Sequence, residues 1–166
     1  MTCKAQSKQC GVQWRAHKYQ QKAVKHLRER DAAALFLDPG LGKTAITLEA
    51  FVELQKKGEA KKALVIAPLR VCYAVWPTEV KKWSQFSHLR VAVLHGPTKE
   101  AALQSDADIY VVNPEGLDWL LGAVKQRYSV VTADRRTGIV APRKRVKVAV
   151  DVKAFAAMGF DTLVID

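Results

Sequence analysis

Residues 37–44 read Leu-Asp-Pro-Gly-Leu-Gly-Lys-Thr. A turn built on Gly40, Leu41 and Gly42 suits an anion. Glycine adopts backbone conformations that other residues avoid, so successive N–H groups can point inward at phosphate oxygens. The ammonium of Lys43 can then reach the β- and γ-phosphates of a nucleotide, and the hydroxyl of Thr44 can reach a Mg²⁺ ion held by them. The full phosphate-loop pattern has an earlier glycine at the position that Leu37 occupies. The signal therefore rests on Gly40 to Thr44 and on the elements that flank it.

Those elements are the ones such a loop needs. Ahead of it, Ala32-Ala-Ala-Leu-Phe-Leu37 reads as a buried strand. Behind it, Lys43 to about Lys57 reads as a helix that is apolar nearly all round and is ended by Gly58. The N-terminus of that helix adds partial positive charge at the phosphates. The same alternation continues along the chain. A helix over 19–30 carries Tyr19, Ala23, Val24 and Leu27 on one stripe. Strands are expected at 62–67, 90–94, 108–112 and 162–166, and helices at 71–86, 98–105, 117–126 and 151–158. Pro77 interrupts the first of these later helices. Short buried strands alternating with helices give an α/β fold with a mainly parallel sheet and helices on both faces. Ligands in such folds sit at the carboxyl ends of the strands. The phosphate loop, Pro68-Leu69-Arg70, His95-Gly96, Asn113-Pro114-Glu115 and Asp166 all fall there, on one rim.

The composition narrows the partners. The net charge of +11 is uneven. Residues 1–30 hold eight Lys/Arg and one acid; residues 121–153 hold nine Lys/Arg and two acids; the rest of the chain is mildly acidic. Two basic segments on an acidic body point to a polyanion. Nothing in the sequence resembles a membrane span or the apolar stretch of a signal peptide. Cys3, Cys10 and Cys72 are odd in number and lack zinc spacing, so free thiols in a reducing compartment are expected. The length suits one domain over 14–166, preceded by a flexible segment over 1–13.

Residues 127–150 break the alternating rhythm. Tyr128-Ser-Val-Val-Thr132, a turn-like Asp134-Arg-Arg-Thr-Gly138 and a second β-branched run suggest an inserted hairpin. It carries Arg135, Arg136, Arg143, Lys144, Arg145 and Lys147. Such a segment suits nucleic-acid phosphates, contacted without regard to sequence. A solvated face or a docking surface for a further domain fits the same residues.

From Trp14 to Asp166 the chain resembles the N-terminal RecA-like domain of a superfamily-two helicase of DEAD/DEAH-box type, most closely the Swi/Snf-type DNA translocases. The carriers are Gly40-Leu-Gly-Lys-Thr44, Ala67-Pro68-Leu69, the helix residues Trp76, Glu79, Lys82 and Trp83, Asn113-Pro114-Glu115, and a strand ending in Asp166. Asp38 and Pro39 replace the Glu-Met usual in that branch. The resemblance implies a P-loop NTPase of three-layer RecA-like fold that uses ATP and Mg²⁺. It assigns Tyr19 and Gln20 to adenine, with the adjacent Gln21 as a competitor; an amide suits adenine because it donates and accepts together. It assigns Gly40, Leu41, Gly42, Lys43 and Thr44 to the phosphates and Thr44 and Asp166 to Mg²⁺, and makes Lys43 and Asp166 catalytic. Pro68, Leu69, Arg70, Gly96, Asn113, Pro114 and Glu115 would line the track of one nucleic-acid strand.

The resemblance also implies what lies outside this sequence. Asp166 matches the start of the family's Asp-Glu box, in which the following Glu activates the attacking water. A second RecA-like domain supplies arginine fingers, whose loss costs about 10³–10⁵ in rate. This chain alone is therefore expected to turn ATP over very slowly. The implied function is the ATP-binding half of a translocase on DNA rather than RNA. It would act in the cytoplasm, in a bacterial or phage-like intracellular setting, or in the nucleus if the source is eukaryotic. Two other readings stay open: a stand-alone nucleic-acid- or partner-binding module without ATPase activity, and a different P-loop NTPase, against which the Pro-Leu and Asn-Pro-Glu loops argue.

Overall fold

The computed structural model describes residues 12–122, 124–133, 140–149 and 152–166. The chain forms two compact units, one of Met1–Pro114 with Phe160–Asp166 and one of Glu115–Gly159.

The first unit is built on a parallel sheet. Its strands are β1 (Ala63–Ile66), β2 (Val91–Val93), β3 (Ile109–Val112) and β6 (Thr162–Ile165). They lie in the order β2-β3-β1-β6, and every pairing is parallel. Val65 sits level with Val111 on one side and Val164 on the other, and Val93 lies beyond Val111. Side chains alternate across a strand, so these valines share one face. That face meets the main core, where Ile46, Leu48, Phe51, Cys72, Trp76 and Phe86 are buried. Asp161 holds the start of β6 beside β1, its carboxylate accepting from the backbone N–H of Lys61 at 2.7 Å and of Lys62 at 3.2 Å.

The helices of this unit are α1 (Lys18–Arg28), α2 (Lys43–Lys57), α3 (Leu69–Ala74), α4 (Trp76–Lys82) and α5 (Lys99–Leu103). In α1, Ala23 and Val24 point inward, as the stripe in the sequence requires. The helix is tied to α2 by Arg28, whose guanidinium meets Glu53 at 2.7 Å. Gly58 ends α2 in a left-handed conformation. The helix expected over 71–86 is two helices, and the break falls at Val75, just before Pro77 at the start of α4. Proline lacks the N–H needed mid-helix but suits the first turn, so the chain restarts there. The chain before α1 is pinned as far back as Val12, which bridges Trp83. Trp14 and Gln85 exchange hydrogen bonds, N–H to Oε1 at 2.8 Å and Nε2–H to O at 3.0 Å.

The expected strand over 32–37 is not formed. No strand is assigned there, and Phe36 is 95% exposed, while Leu35 and Leu37 lie against the core. Apolar composition favours burial, but it does not specify the backbone pairing that makes a strand. Among the described residues β6 is the outermost strand on this side, and 32–37 does not pair with it. The face of β6 opposite Val164 is open as well, with Leu163 at 62% and Ile165 at 78% exposure.

The second unit contains α6 (Leu117–Leu120), an antiparallel ribbon of β4 (Val124–Ala133) and β5 (Val140–Ala149), and α7 (Val152–Ala157). The hairpin anticipated within 127–150 is present and begins earlier, at Val124. The helix expected over 117–126 stops at Leu120, because the β-branched run from Val124 pairs along its whole length with β5. The turn expected over 134–138 lies outside the described residues. Among the described residues no helix is long and apolar enough to cross a membrane.

Candidate functional site

The loop between Leu37 and α2 has the backbone that a phosphate cradle requires. Gly40 and Gly42 hold φ of 86° and 77°, where a side chain is strained. Gly42 caps α2 in the left-handed conformation, and its carbonyl accepts from Ile46 N–H at 3.0 Å. Leu41 N–H turns back to Asp38 O at 3.3 Å. Gly42 is also crowded, because a Cβ there would stand 2.8 Å from Nε2 of Gln20. Gly42→Ala is therefore expected to distort the loop twice over, by the left-handed φ (about 1–2 kcal/mol) and by displacing Gln20. A drop in nucleotide affinity is expected together with a melting temperature lowered by only a few degrees; calorimetry and thermal melting check it.

Gln20 is buried and already committed. Its Nε2 donates to Leu41 O at 3.2 Å, and its Oε1 accepts from His17 N–H at 2.9 Å. The second bond also caps α1. Tyr19 lies beside it, its hydroxyl donating to Leu41 O at 3.3 Å and its ring stacked on His17. Gln21 is exposed and donates to Ala16 O at 3.0 Å. Of the two glutamines, Gln20 is the one held against the phosphate loop. The Nε2 and the Oε1 of Gln20 each keep a hydrogen-bonding position to spare.

Lys43 folds back on its own loop. Its Nζ donates to Leu37 O at 2.9 Å and to Asp38 O at 3.2 Å. These carbonyls hold the ammonium near the loop mouth, where incoming phosphate oxygens can replace them. Asp166 follows β6, and its N–H extends the ladder to Ile66 O at 2.9 Å. Its Oδ2 accepts from the indole Nε1–H of Trp76 at 3.0 Å. Trp76 itself is 2% exposed and fixed by the core around it. The sequence showed Trp76 only as a helix residue. Its hold on a carboxylate 90 positions away carries no local signal.

These residues meet in one cleft of about 460 Å³. Tyr19, Gln20, Gly40, Gly42, Lys43, Thr44 and Asp166 line it, joined by Trp14, Glu79 and Trp83. The size suits a small-molecule ligand. Glu79 is a second carboxylate on the wall, held by Trp83 Nε1–H at 2.8 Å and Lys82 Nζ at 3.3 Å. Thr44 and Asp166 bring hard oxygen donors to the same space. Among the described residues no three His, Cys, Asp or Glu side chains cluster as a metal cage. That donor set fits Mg²⁺, which takes one or two protein oxygens and completes its shell with phosphates and water. Cys72 lies behind Ala67, its Sγ donating to Ala67 O at 3.2 Å. Burial pushes its thiol above the ordinary range, so it stays protonated and serves as packing.

The remaining rim residues follow the strands as expected. Pro68, Leu69 and Arg70 leave β1 and are exposed, and Gly96 turns the chain after β2 with φ 74°. Asn113 is buried at the end of β3, and Pro114 is exposed. Tyr73 and His95 join the first two of these loops through a 3.0 Å hydrogen bond between Tyr73 Oη and His95 Nδ1. Glu115 belongs to the second unit. Arg143, Lys144 and Arg145 lie on β5.

A parallel four-stranded sheet with helices packed against it defines an α/β domain of RecA-like type. A family model described as the SNF2-related domain matches residues 10–151, and the chain belongs to that family. It is similar to protein p41 of Acyrthosiphon pisum secondary endosymbiont phage 1, with 35% identity over 133 residues, covering 76% of this chain and 29% of that protein. Among solved structures it is similar to the Sulfolobus solfataricus SWI2/SNF2 ATPase core in complex with dsDNA. The TM-score is 0.56 at 30% identity, covering 67% of this chain and 23% of that one. The chain thus spans less than a third of the length of either relative.

Proposed function

We propose that this chain is the ATP-binding half of an ATP-driven translocase that moves on duplex DNA inside a cell. The observation that carries the reading is that Gln20, Lys43, Thr44 and Asp166 line one cleft together. In this reading Tyr19 and Gln20 meet the adenine, and Gly40 to Lys43 hold the phosphates by backbone N–H groups and charge. Thr44 and Asp166 would hold Mg²⁺, which would neutralise phosphate charge. Pro68, Leu69, Arg70, Gly96, Asn113, Pro114 and Glu115 line the path of a DNA strand. A second RecA-like domain completes the hydrolytic site with cationic side chains. Membership of the SNF2-related family supports nucleotide use, and the relative solved with duplex DNA supports the polymer.

The test measures binding and turnover separately. Calorimetry with ATP, and anisotropy with a labelled duplex, should both give saturable binding by the 166-residue chain. Turnover should stay near background with or without DNA. ATP binding without any affinity for duplex would remove the translocase reading and leave a nucleotide-binding domain. DNA binding without ATP binding would favour a nucleic-acid-binding module. Strong DNA-stimulated hydrolysis would mean that this chain, or two copies of it, completes the site unaided.

A further inference from the structure

The ribbon of β4 and β5 holds six cations and no acid across its two strands: Lys125, Arg127, Arg143, Lys144, Arg145 and Lys147. As a sequence they form one basic run. The register divides them. Tyr128 pairs with Arg145, Gln126 with Lys147 and Val130 with Arg143. Directly paired residues share a face of an antiparallel ribbon, and alternate positions along a strand return to it. Positions 143, 145 and 147 therefore belong to one face, together with Val124, Gln126, Tyr128, Val130 and Thr132. Lys125 pairs with Val148, Arg127 with Val146 and Lys144 with Ser129. Those three cations belong to the opposite face, among the positions of Val131, Val140, Pro142, Val146 and Val148.

We infer that the ribbon engages duplex DNA through one face only, that of Arg143, Arg145 and Lys147. The inference rests on the proposed function and adds which surface of the insertion meets the DNA. Charge spacing is the first argument. Alternate positions on a strand are about 6.8 Å apart. One strand of duplex DNA carries a charge every ~3.4 Å along the axis, so the three cations step at twice that interval. Dimensions are the second. The major groove, about 12 Å wide, admits a two-stranded ribbon. Composition is the third. Gln126 and Tyr128 add hydrogen-bonding groups beside the cations, and polar donors suit a phosphate backbone. The other face holds the positions of four valines and a proline and no such polar pair as Gln126 and Tyr128.

Two variants of equal charge test it: Arg143→Ala/Arg145→Ala/Lys147→Ala and Lys125→Ala/Arg127→Ala/Lys144→Ala. Duplex affinity is measured by anisotropy over a range of salt concentrations, using several unrelated sequences. Each phosphate neutralised contributes about −0.9 to the log–log slope. The first variant should flatten the slope by about 2–3 units for every sequence, and the second by less than about 1. A conservative variant, Arg143→Lys/Arg145→Lys, should keep the wild-type slope and shows that charge rather than folding is read. Unchanged ATP affinity in all three confirms an intact first unit. Equal flattening in both Ala variants, or more in the second, overturns the one-face assignment and leaves the translocase reading standing. No flattening in either means the ribbon serves another partner, such as a protein domain, and also overturns it. A wild type that binds ATP but no duplex removes the proposed function itself.

Discussion

Lys43→Ala is expected to weaken ATP binding by roughly 10- to 100-fold. A hydrogen bond to a charged group contributes about 1.5–3 kcal/mol, and about 1.4 kcal/mol is a factor of ten. The bonds that Lys43 makes without nucleotide go to the neutral carbonyls of Leu37 and Asp38. Phosphate oxygens carry negative charge that these carbonyls lack, so exchanging one set of acceptors for the other is favourable. The alanine variant loses that exchange. Its fold should hold, because Lys43 opens α2 on a half-buried surface and alanine is a good helix former. ADP affinity should fall less than ATP affinity if the ammonium reaches the terminal phosphate. Equal ATP affinity in wild type and variant by calorimetry would remove Lys43 from the site.

Substitutions at Trp76 should separate two roles of one side chain. Trp76→Ala deletes a fully buried indole, which typically costs about 3–5 kcal/mol. Against a domain stability of about 5–15 kcal/mol this is severe, and a lowered melting temperature or insoluble protein is expected. Trp76→Phe keeps most of the ring volume and removes the N–H that Asp166 Oδ2 accepts. That variant should fold. Asp166 is exposed, so its carboxylate gains water rather than standing unpaired, and the stability cost is small. What it loses is orientation. The gain in ATP affinity on adding Mg²⁺ should shrink several-fold, while affinity measured without Mg²⁺ stays at the wild-type value. If both affinities match wild type, the Trp76–Asp166 contact is packing alone.

Much of this molecule is legible along the chain. The runs Ala63–Ile66, Ile109–Val112 and Thr162–Ile165 are too short and too β-branched for helices, and each ends at a loop residue. Gly40 and Gly42 stand where only glycine is comfortable, and Pro77 marks the helix break. Local chemistry decides such features, so local sequence shows them. For the same reason the glycine turn and the helix that begins at Lys43 were legible before any fold was known.

Other features depend on partners far away in sequence. The run Ala32–Leu37 has the composition of a buried strand, yet it lies outside the sheet because pairing needs a neighbour that composition does not specify. Gln20 and Gln21 look alike in sequence, and only the packing of α1 against α2 turns one of them onto Leu41 and Gly42. The basic run Arg143-Lys144-Arg145 reads as one patch, but register sends Lys144 to the face opposite its neighbours. Trp76 reaches Asp166 only because α4 lies beside the carboxyl end of β6. Sequence by itself determined the parallel α/β core and its phosphate loop, through periodicity and backbone preference. Tertiary structure alone decided which side chains share the cleft and which cations share a face, because those are contacts between segments that no local preference encodes.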